Sequence, residues 1–219
     1  MPFLEILKAA DPSGYKLIPN IWIRENGHFR KPVAFYRADL DELPAPNYDG
    51  LPLRSYRAPV PVLVQGTRGC YWGKCAFCIH TSGVHTHQAK AIRVRPMSKL
   101  LADIDTLVQK YNPRFIVFAD VSMTPAICRK LSEAFIERKY KFRWFIFLRF
   151  EESFTEELFG LMSKANCFML NFGLESGSQR ILDKIDKGLN LDVVRRVLEN
   201  ALKFNFRVTI HTMAGLPGE

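Results

Sequence analysis

From residue 61 onward, short apolar runs alternate with amphipathic stretches, and that alternation constrains the fold more than any other feature of the chain. The apolar runs are Val62-Leu63-Val64, Phe115-Ile116-Val117-Phe118, Trp144–Leu148, Cys167–Phe172 and Phe206–Ile210. The intervening segments have helical spacing. Leu100, Leu101, Ile104, Leu107 and Val108 share one face of a helix predicted over residues 98–111, which Asn112-Pro113 stops. Thr124-Pro125 supplies an N-cap and a first-turn proline for the next helix, with Ile127, Leu131 and Phe135 inward. Thr155-Glu156-Glu157 opens another with its acids at the positive end of the dipole, and Leu191–Phe204 forms the last. Asn112, Asn166 and Asn205 fall at helix ends, where asparagine accepts the left-handed conformation. Strands that are apolar nearly throughout are those covered by helices in a parallel sheet. The expected fold class is therefore α/β, a TIM-type barrel of parallel strands with helices outside.

Five strands are too few to close such a barrel. The sequence ends in the turn Ala214-Gly215-Leu216-Pro217-Gly218-Glu219, directly after the fifth. The expectation is a partial barrel over residues 61–219, a piece of a longer one. Residues 1–60 read differently. Pro12, Pro19, Pro32, Pro44, Pro46, Pro52 and Pro59 break them into an irregular connector, with a short hairpin expected around Asn26-Gly27 and arms at Asn20–Arg24 and Val33–Arg37.

No apolar run approaches the length of a membrane span, and the N-terminus lacks a signal-peptide pattern, so no membrane partner is expected and the cytoplasm is the default compartment. The net charge of +9 is spread over Arg24–Arg37, Lys90–Arg95 and Lys139–Arg143 rather than gathered in one patch. Charge of that kind reads as a solvated basic surface, and nucleic acid is not an expected partner.

Five cysteines, an odd number with three of them clustered, argue for a reducing compartment rather than a disulfide framework. Cys128 and Cys167 lie in apolar contexts and read as core residues. Cys70, Cys75 and Cys78 fall within nine residues, in Gly-Cys-Tyr-Trp-Gly-Lys-Cys-Ala-Phe-Cys. Thiolates this close can meet on one metal centre, and three ligands leave one position for something else to bind. Zinc with His80, His85 or His87 as fourth ligand also fits the spacing.

In βα barrels, chemistry collects where strands run into the following loops. Strand by strand, the unusual polar residues are the cysteine loop, then Asp120 and Ser122, then Arg149, then Gly173-Leu174-Glu175-Ser176-Gly177-Ser178, then His211 ahead of Gly215-Leu216-Pro217-Gly218. All five groups fall on the same rim, which points to one site.

Here the chain resembles the radical S-adenosylmethionine superfamily. Cys-x4-Cys-x2-Cys after the first strand, with Phe77 before the last cysteine, is similar to its cluster loop, with one residue more than the commoner spacing. Gly-Leu-Glu-Ser-Gly-Ser-Gln-Arg-Ile-Leu-Asp-Lys-Ile-Asp-Lys-Gly (173–188) and Ala-Gly-Leu-Pro-Gly-Glu (214–219) resemble the same superfamily. Residues 18–60 resemble the connector that precedes the barrel in members carrying a cobalamin-binding domain. The resemblance implies that Cys70, Cys75 and Cys78 hold a [4Fe-4S] cluster and that its fourth iron takes S-adenosylmethionine. It further implies reductive cleavage to a 5′-deoxyadenosyl radical that modifies a substrate, methylation being one outcome. Phe77 would sit by the adenine. Glu175, with Ser176 and Ser178, would meet the polar part of the cofactor, Arg149 its carboxylate, and Asp120 and Ser122 its amino group. Tyr71 and Trp72 read either as substrate contacts or as packing for the loop. The implied partners are an electron donor such as flavodoxin or ferredoxin and an unidentified substrate. Cobalamin would come through a domain outside these residues. The alternatives are an RNA-modifying enzyme of the methylthiotransferase type, and a non-catalytic piece that binds a cluster or zinc.

Overall fold

The five apolar runs pair side by side in the order in which they occur in the chain. The computed structural model describes residues 2–9, 11–35, 38–79 and 92–219. They divide into two compact units, at Leu43/Pro44.

In the first unit, helix α1 (Pro2–Lys8) is followed by a turn of 3-10 helix at Pro12–Leu17 and by a hairpin, β1 (Ile23–Glu25) and β2 (His28–Arg30). The hairpin turns at Asn26 and Gly27, which have φ of 48° and 82°. Positive φ at both turn residues is the tight two-residue geometry, so pairing starts at once, Glu25 opposite His28. The arms are therefore shorter and closer to the turn than Asn20–Arg24 and Val33–Arg37. Of the second expected arm, Tyr36 and Arg37 lie outside the described residues.

The second unit is built on a parallel sheet of β3 (Val62–Val64), β6 (Phe115–Phe118), β7 (Arg143–Leu148), β8 (Cys167–Glu175) and β9 (Arg207–Thr212), in that spatial order. β3 and β9 stand at opposite ends of the order, so the barrel is open. Between β3 and β6, two short strands, β4 (Thr67–Arg68) and β5 (Arg93–Val94), pair antiparallel. The crossovers run through α2 (Met97–Tyr111), α3 (Pro125–Glu137), α4 (Glu156–Lys164), α5 (Gln179–Lys184) and α6 (Leu191–Leu202). Thr124 and Thr155 cap α3 and α4 by accepting from the amides of Ile127 and Leu158. Asn112 and Asn166 take φ of 43° and 65° where α2 and α4 end, as expected of asparagine there. Asn205 does not share this role, because α6 ends earlier, with Lys203 still in the right-handed region.

One face of the sheet packs against the helices. Val62, Val64, Ile116, Phe118, Trp144, Ile146, Leu170 and Phe172 form one core with residues of α2, α3, α4 and α6. Cys128 and Cys167 are buried in it. On the opposite face Leu63 is exposed and Phe145 and Phe147 are half-buried. The segment before β3 is strapped to this unit. The Tyr48 hydroxyl donates to the Leu63 carbonyl at 3.1 Å and accepts from its amide at 2.7 Å, and the Tyr48 amide donates to the Tyr111 hydroxyl at 3.0 Å. No helix among the described residues is long and apolar enough to cross a membrane.

Candidate functional site

The cysteine loop leaves the sheet after β3 and is bracketed by the β4–β5 pair. Gly69 and Gly73, with φ of 94° and 60°, turn the chain where a side chain would be strained. Cys75 is buried, and Cys70 and Cys78 are partly so. The loop docks on the short turn that follows α5. The amide of Ala76 donates to the Ile185 carbonyl at 2.9 Å, and Trp72 Nε1 donates to the Asp186 carbonyl at 2.7 Å. The next carbonyl, that of Lys187, accepts from Arg149 Nη2 at 2.7 Å. Three successive carbonyls thus hold the loop and the arginine behind it. Asp186 and Gly188 turn them into place with φ of 49° and 62°.

Arg149, at the end of β7, is almost fully buried and sits within the aromatic part of the loop. Its guanidinium lies 4.9 Å from the centre of the Trp72 ring and 5.9 Å from that of Tyr71. Its Nε approaches Glu151 Oε1 at 3.4 Å, and the same oxygen accepts from the Tyr71 hydroxyl at 3.1 Å. Tyr71 and Trp72 pack the loop against the barrel. Burial and the Glu151 carboxylate push the Tyr71 phenol above its ordinary pKa, so it stays protonated and donates.

Glu175 closes β8 at a register shift against β9 and has a φ of 69°, rare for a residue with a side chain. Its Oε1 accepts from Lys187 Nζ at 2.8 Å in a nearly buried ion pair. Ser176 is buried, and its hydroxyl accepts from the Ser178 amide at 3.2 Å, folding the start of the next loop. Phe77 is 39% exposed, with the Lys187 ammonium 5.8 Å from its ring centre.

Asp120 and Ser122 lie at the β3 side of the rim, both buried. Asp120 Oδ2 accepts from the Gly66 amide at 3.1 Å. Burial raises the Asp120 pKa, and the Thr67 hydroxyl and the Gly66 and Thr67 amides pull it back. Oδ1 of Asp120 and the Ser122 hydroxyl have no well-formed hydrogen bond among the described residues, although Ser122 adjoins the Tyr71 hydroxyl. Buried polar atoms left in this state cost stability unless something meets them.

Three thiols on one docked loop fit an iron–sulfur cluster. Cys75 is close enough to Cys70 and Cys78 to feel their charge. Burial pushes its thiol pKa up, and Lys187 and Arg149 pull it down, so two cations stand ready to offset thiolate charge. Among the described residues no three His, Cys, Asp or Glu side chains converge on one metal ion. A zinc ion about 2.3 Å from each sulfur would draw its thiolates tightly together. A four-iron cluster takes one thiolate per iron and accepts a wider spread. His80, His85 and His87 lie outside the described residues.

His211 on β9 stacks on Phe147, ring centres 6.0 Å apart. The turn at 215–218 packs through Leu216 on Ile181 and Ile185 of the α5 region. The sequence placed Asp186, Lys187 and Gly188 within the 173–188 stretch without giving them a role, and gave no signal for Glu151. Lys187 carried one weak signal, a lysine followed by glycine in a short polar turn, and nothing in that pattern says the side chain points inward.

The radical SAM superfamily model matches residues 64–219. The chain is 28% identical over 201 residues to an uncharacterized methyltransferase of Pyrococcus horikoshii, covering 90% of this chain and 42% of that protein. It is 29% identical over 147 residues to the anaerobic magnesium-protoporphyrin IX monomethyl ester cyclase of Rubrivivax gelatinosus, covering 65% and 25%. The chain thus spans less than half the length of these relatives. Among solved structures, the cobalamin-dependent S-adenosylmethionine radical enzyme OxsB with aqua-cobalamin bound superposes with a TM-score of 0.76 at 19% identity, over 98% of this chain and 33% of that one. The radical S-adenosylmethionine methyltransferase TsrM from Kitasatospora setae, with tryptophan and a cofactor analogue bound, superposes with a TM-score of 0.71 at 15% identity, over 99% and 44%.

Proposed function

The chain belongs to the radical SAM superfamily, and on that premise we propose that Cys70, Cys75 and Cys78 hold a [4Fe-4S] cluster at which S-adenosylmethionine is reductively cleaved. The observation that carries this reading is the docking of the three-cysteine loop, through Ala76 and Trp72, onto the rim that bears Glu175. When bound, the cluster and S-adenosylmethionine supply an electron and a 5′-deoxyadenosyl radical able to take hydrogen from a substrate. The chain's own residues bind, orient and shield. Arg149 and Glu151 hold the loop in place through Tyr71 and Trp72. Glu175, with Ser176 and Ser178, offers acceptors for the polar end of the cofactor, and Phe77 offers a partly exposed ring for its adenine. Asp120 and Ser122 present the buried oxygens that still lack full partners. An electron carrier of the flavodoxin or ferredoxin class supplies the reducing equivalent.

For the whole protein the proposed outcome is methyl transfer to a substrate. It is supported by the methyltransferase relative and by the likeness to TsrM, a radical S-adenosylmethionine methyltransferase.

Anaerobic reconstitution of residues 1–219 with iron and sulfide tests the central claim. The expected result is a brown protein that, once reduced, converts S-adenosylmethionine to methionine and 5′-deoxyadenosine. Colourless protein with stoichiometric zinc would overturn the cluster reading. Bound cluster without cleavage would leave a cluster-binding piece and overturn the catalytic part.

A further inference from the structure

We propose that Lys187 sets the reduction potential of the cluster held by Cys70, Cys75 and Cys78, by fixing a buried positive charge against the cysteine loop; this rests on the cluster reading above. A lysine that is only 7% exposed is unusual, because burying an ammonium is costly unless it is paired. Lys187 is paired with Glu175, but that does not explain where the pair sits. The ammonium lies 5.8 Å from the ring centre of Phe77, the residue between Ala76 and Cys78 on the cysteine loop. The backbone beneath it is bound at three successive carbonyls, to Ala76, to Trp72 and to Arg149. The charge is carried by the same turn that docks the cysteines, so its place relative to them is set by the fold.

Reduction adds an electron to a centre already negative through its thiolates. A fixed cation in a low-dielectric site favours the reduced form, and cluster potentials respond to local charge and exposure. Salt screens a surface lysine over about 8–10 Å, and a buried one much less. Glu175 moderates the effect. Removing either partner should therefore move the potential in opposite directions. If the Lys187–Glu175 pair stood too far from the cluster to act on it, loss of either charge would alter stability and leave the potential where it was.

The test is a spectroscopic redox titration of the reconstituted protein without S-adenosylmethionine, with iron and sulfide content measured alongside. At the wild-type midpoint, Lys187→Met is expected to lower the reduced-to-oxidised ratio about tenfold, equivalent to about 59 mV for a one-electron couple. Lys187→Arg should stay near the wild-type midpoint, and Glu175→Gln should raise the ratio. An unchanged midpoint in Lys187→Met at equal iron content overturns the proposal. If Lys187→Met fails to take up iron, Glu175→Gln decides, and an unmoved or lowered midpoint overturns the proposal. Wild-type protein that assembles no cluster removes the cluster reading and this inference with it. Wild-type protein that cleaves S-adenosylmethionine while Lys187→Met keeps its potential removes only the inference.

Discussion

A methyl group placed on Gly188 would fall 2.0 Å from Cζ2 of Trp72. The indole takes the space that any other residue would fill, and the φ of 62° at Gly188 adds strain for a side chain. Gly188→Ala should lower unfolding free energy by about 1–3 kcal/mol, the usual range for overpacking. It should also reduce iron retained after reconstitution. Adding Trp72→Ala to the same chain should recover part of the stability, and a double-mutant cycle by denaturant unfolding reads that coupling. Strict additivity of the two changes would refute the contact.

Trp72→Phe tests the hydrogen bond without removing the ring. It leaves the Asp186 carbonyl without its indole donor, at a cost of about 1 kcal/mol. The cysteine loop should then give up iron to a chelator faster than wild type. Equal chelation rates would show that the loop is held elsewhere.

Cysteine variants separate the site from the core. Cys75→Ala should lose the cluster's visible absorbance. Cys128, fully buried in the helix-facing core, should tolerate alanine with full iron content and a stability loss of about 1 kcal/mol. Loss of iron from Cys128→Ala without unfolding would contradict this division.

Asp120 gives a pH signature. Burial raises its folded pKa above the ordinary 3.8. The neutral acid is favoured in the folded state, so its contribution to stability is fully present below pH 3.8 and lost as pH rises through the raised value. Asp120→Asn keeps an acceptor for the Gly66 amide and carries no charge. The variant should be more stable than wild type at pH 7, with the difference vanishing below pH 3.8. If Asp120 meets the cofactor, the same variant should bind S-adenosylmethionine more weakly. Thermal unfolding across pH, beside equilibrium binding, checks both; a difference that grows in acid would reverse the assignment.

Much of the fold was legible because it depends on local signals. Apolar runs marked β3 and β6–β9, Thr124 and Thr155 marked helix starts, and Asn26-Gly27 marked the hairpin turn. The second hairpin arm was misplaced because Val33 and Phe35 are apolar while His28 and Arg30, which flank Phe29 in the observed arm, are not; turn geometry, not hydrophobicity, chose the pairing. Helix α5 escaped notice because six residues carry too little periodicity. The site divides in the same way. The three cysteines announce themselves by spacing. The turn at 185–188 acts through backbone carbonyls, which any sequence possesses, and only its glycine leaves a trace. Lys187 is exceptional because it is buried, and burial belongs to the assembled structure.

The bond from Trp72 to Asp186 joins residues 114 positions apart. At about 5–20 residues per second, a ribosome makes Trp72 roughly 6–23 seconds before it makes the turn that docks it. During that interval three thiols are attached to a nascent chain that cannot yet shelter them. Iron delivered early would meet a flexible peptide open to oxidants and to stray metals. Delivered after the turn is made, it meets a seat. The order of synthesis thus leaves the cysteine loop undocked until the turn at 185–188 has been made.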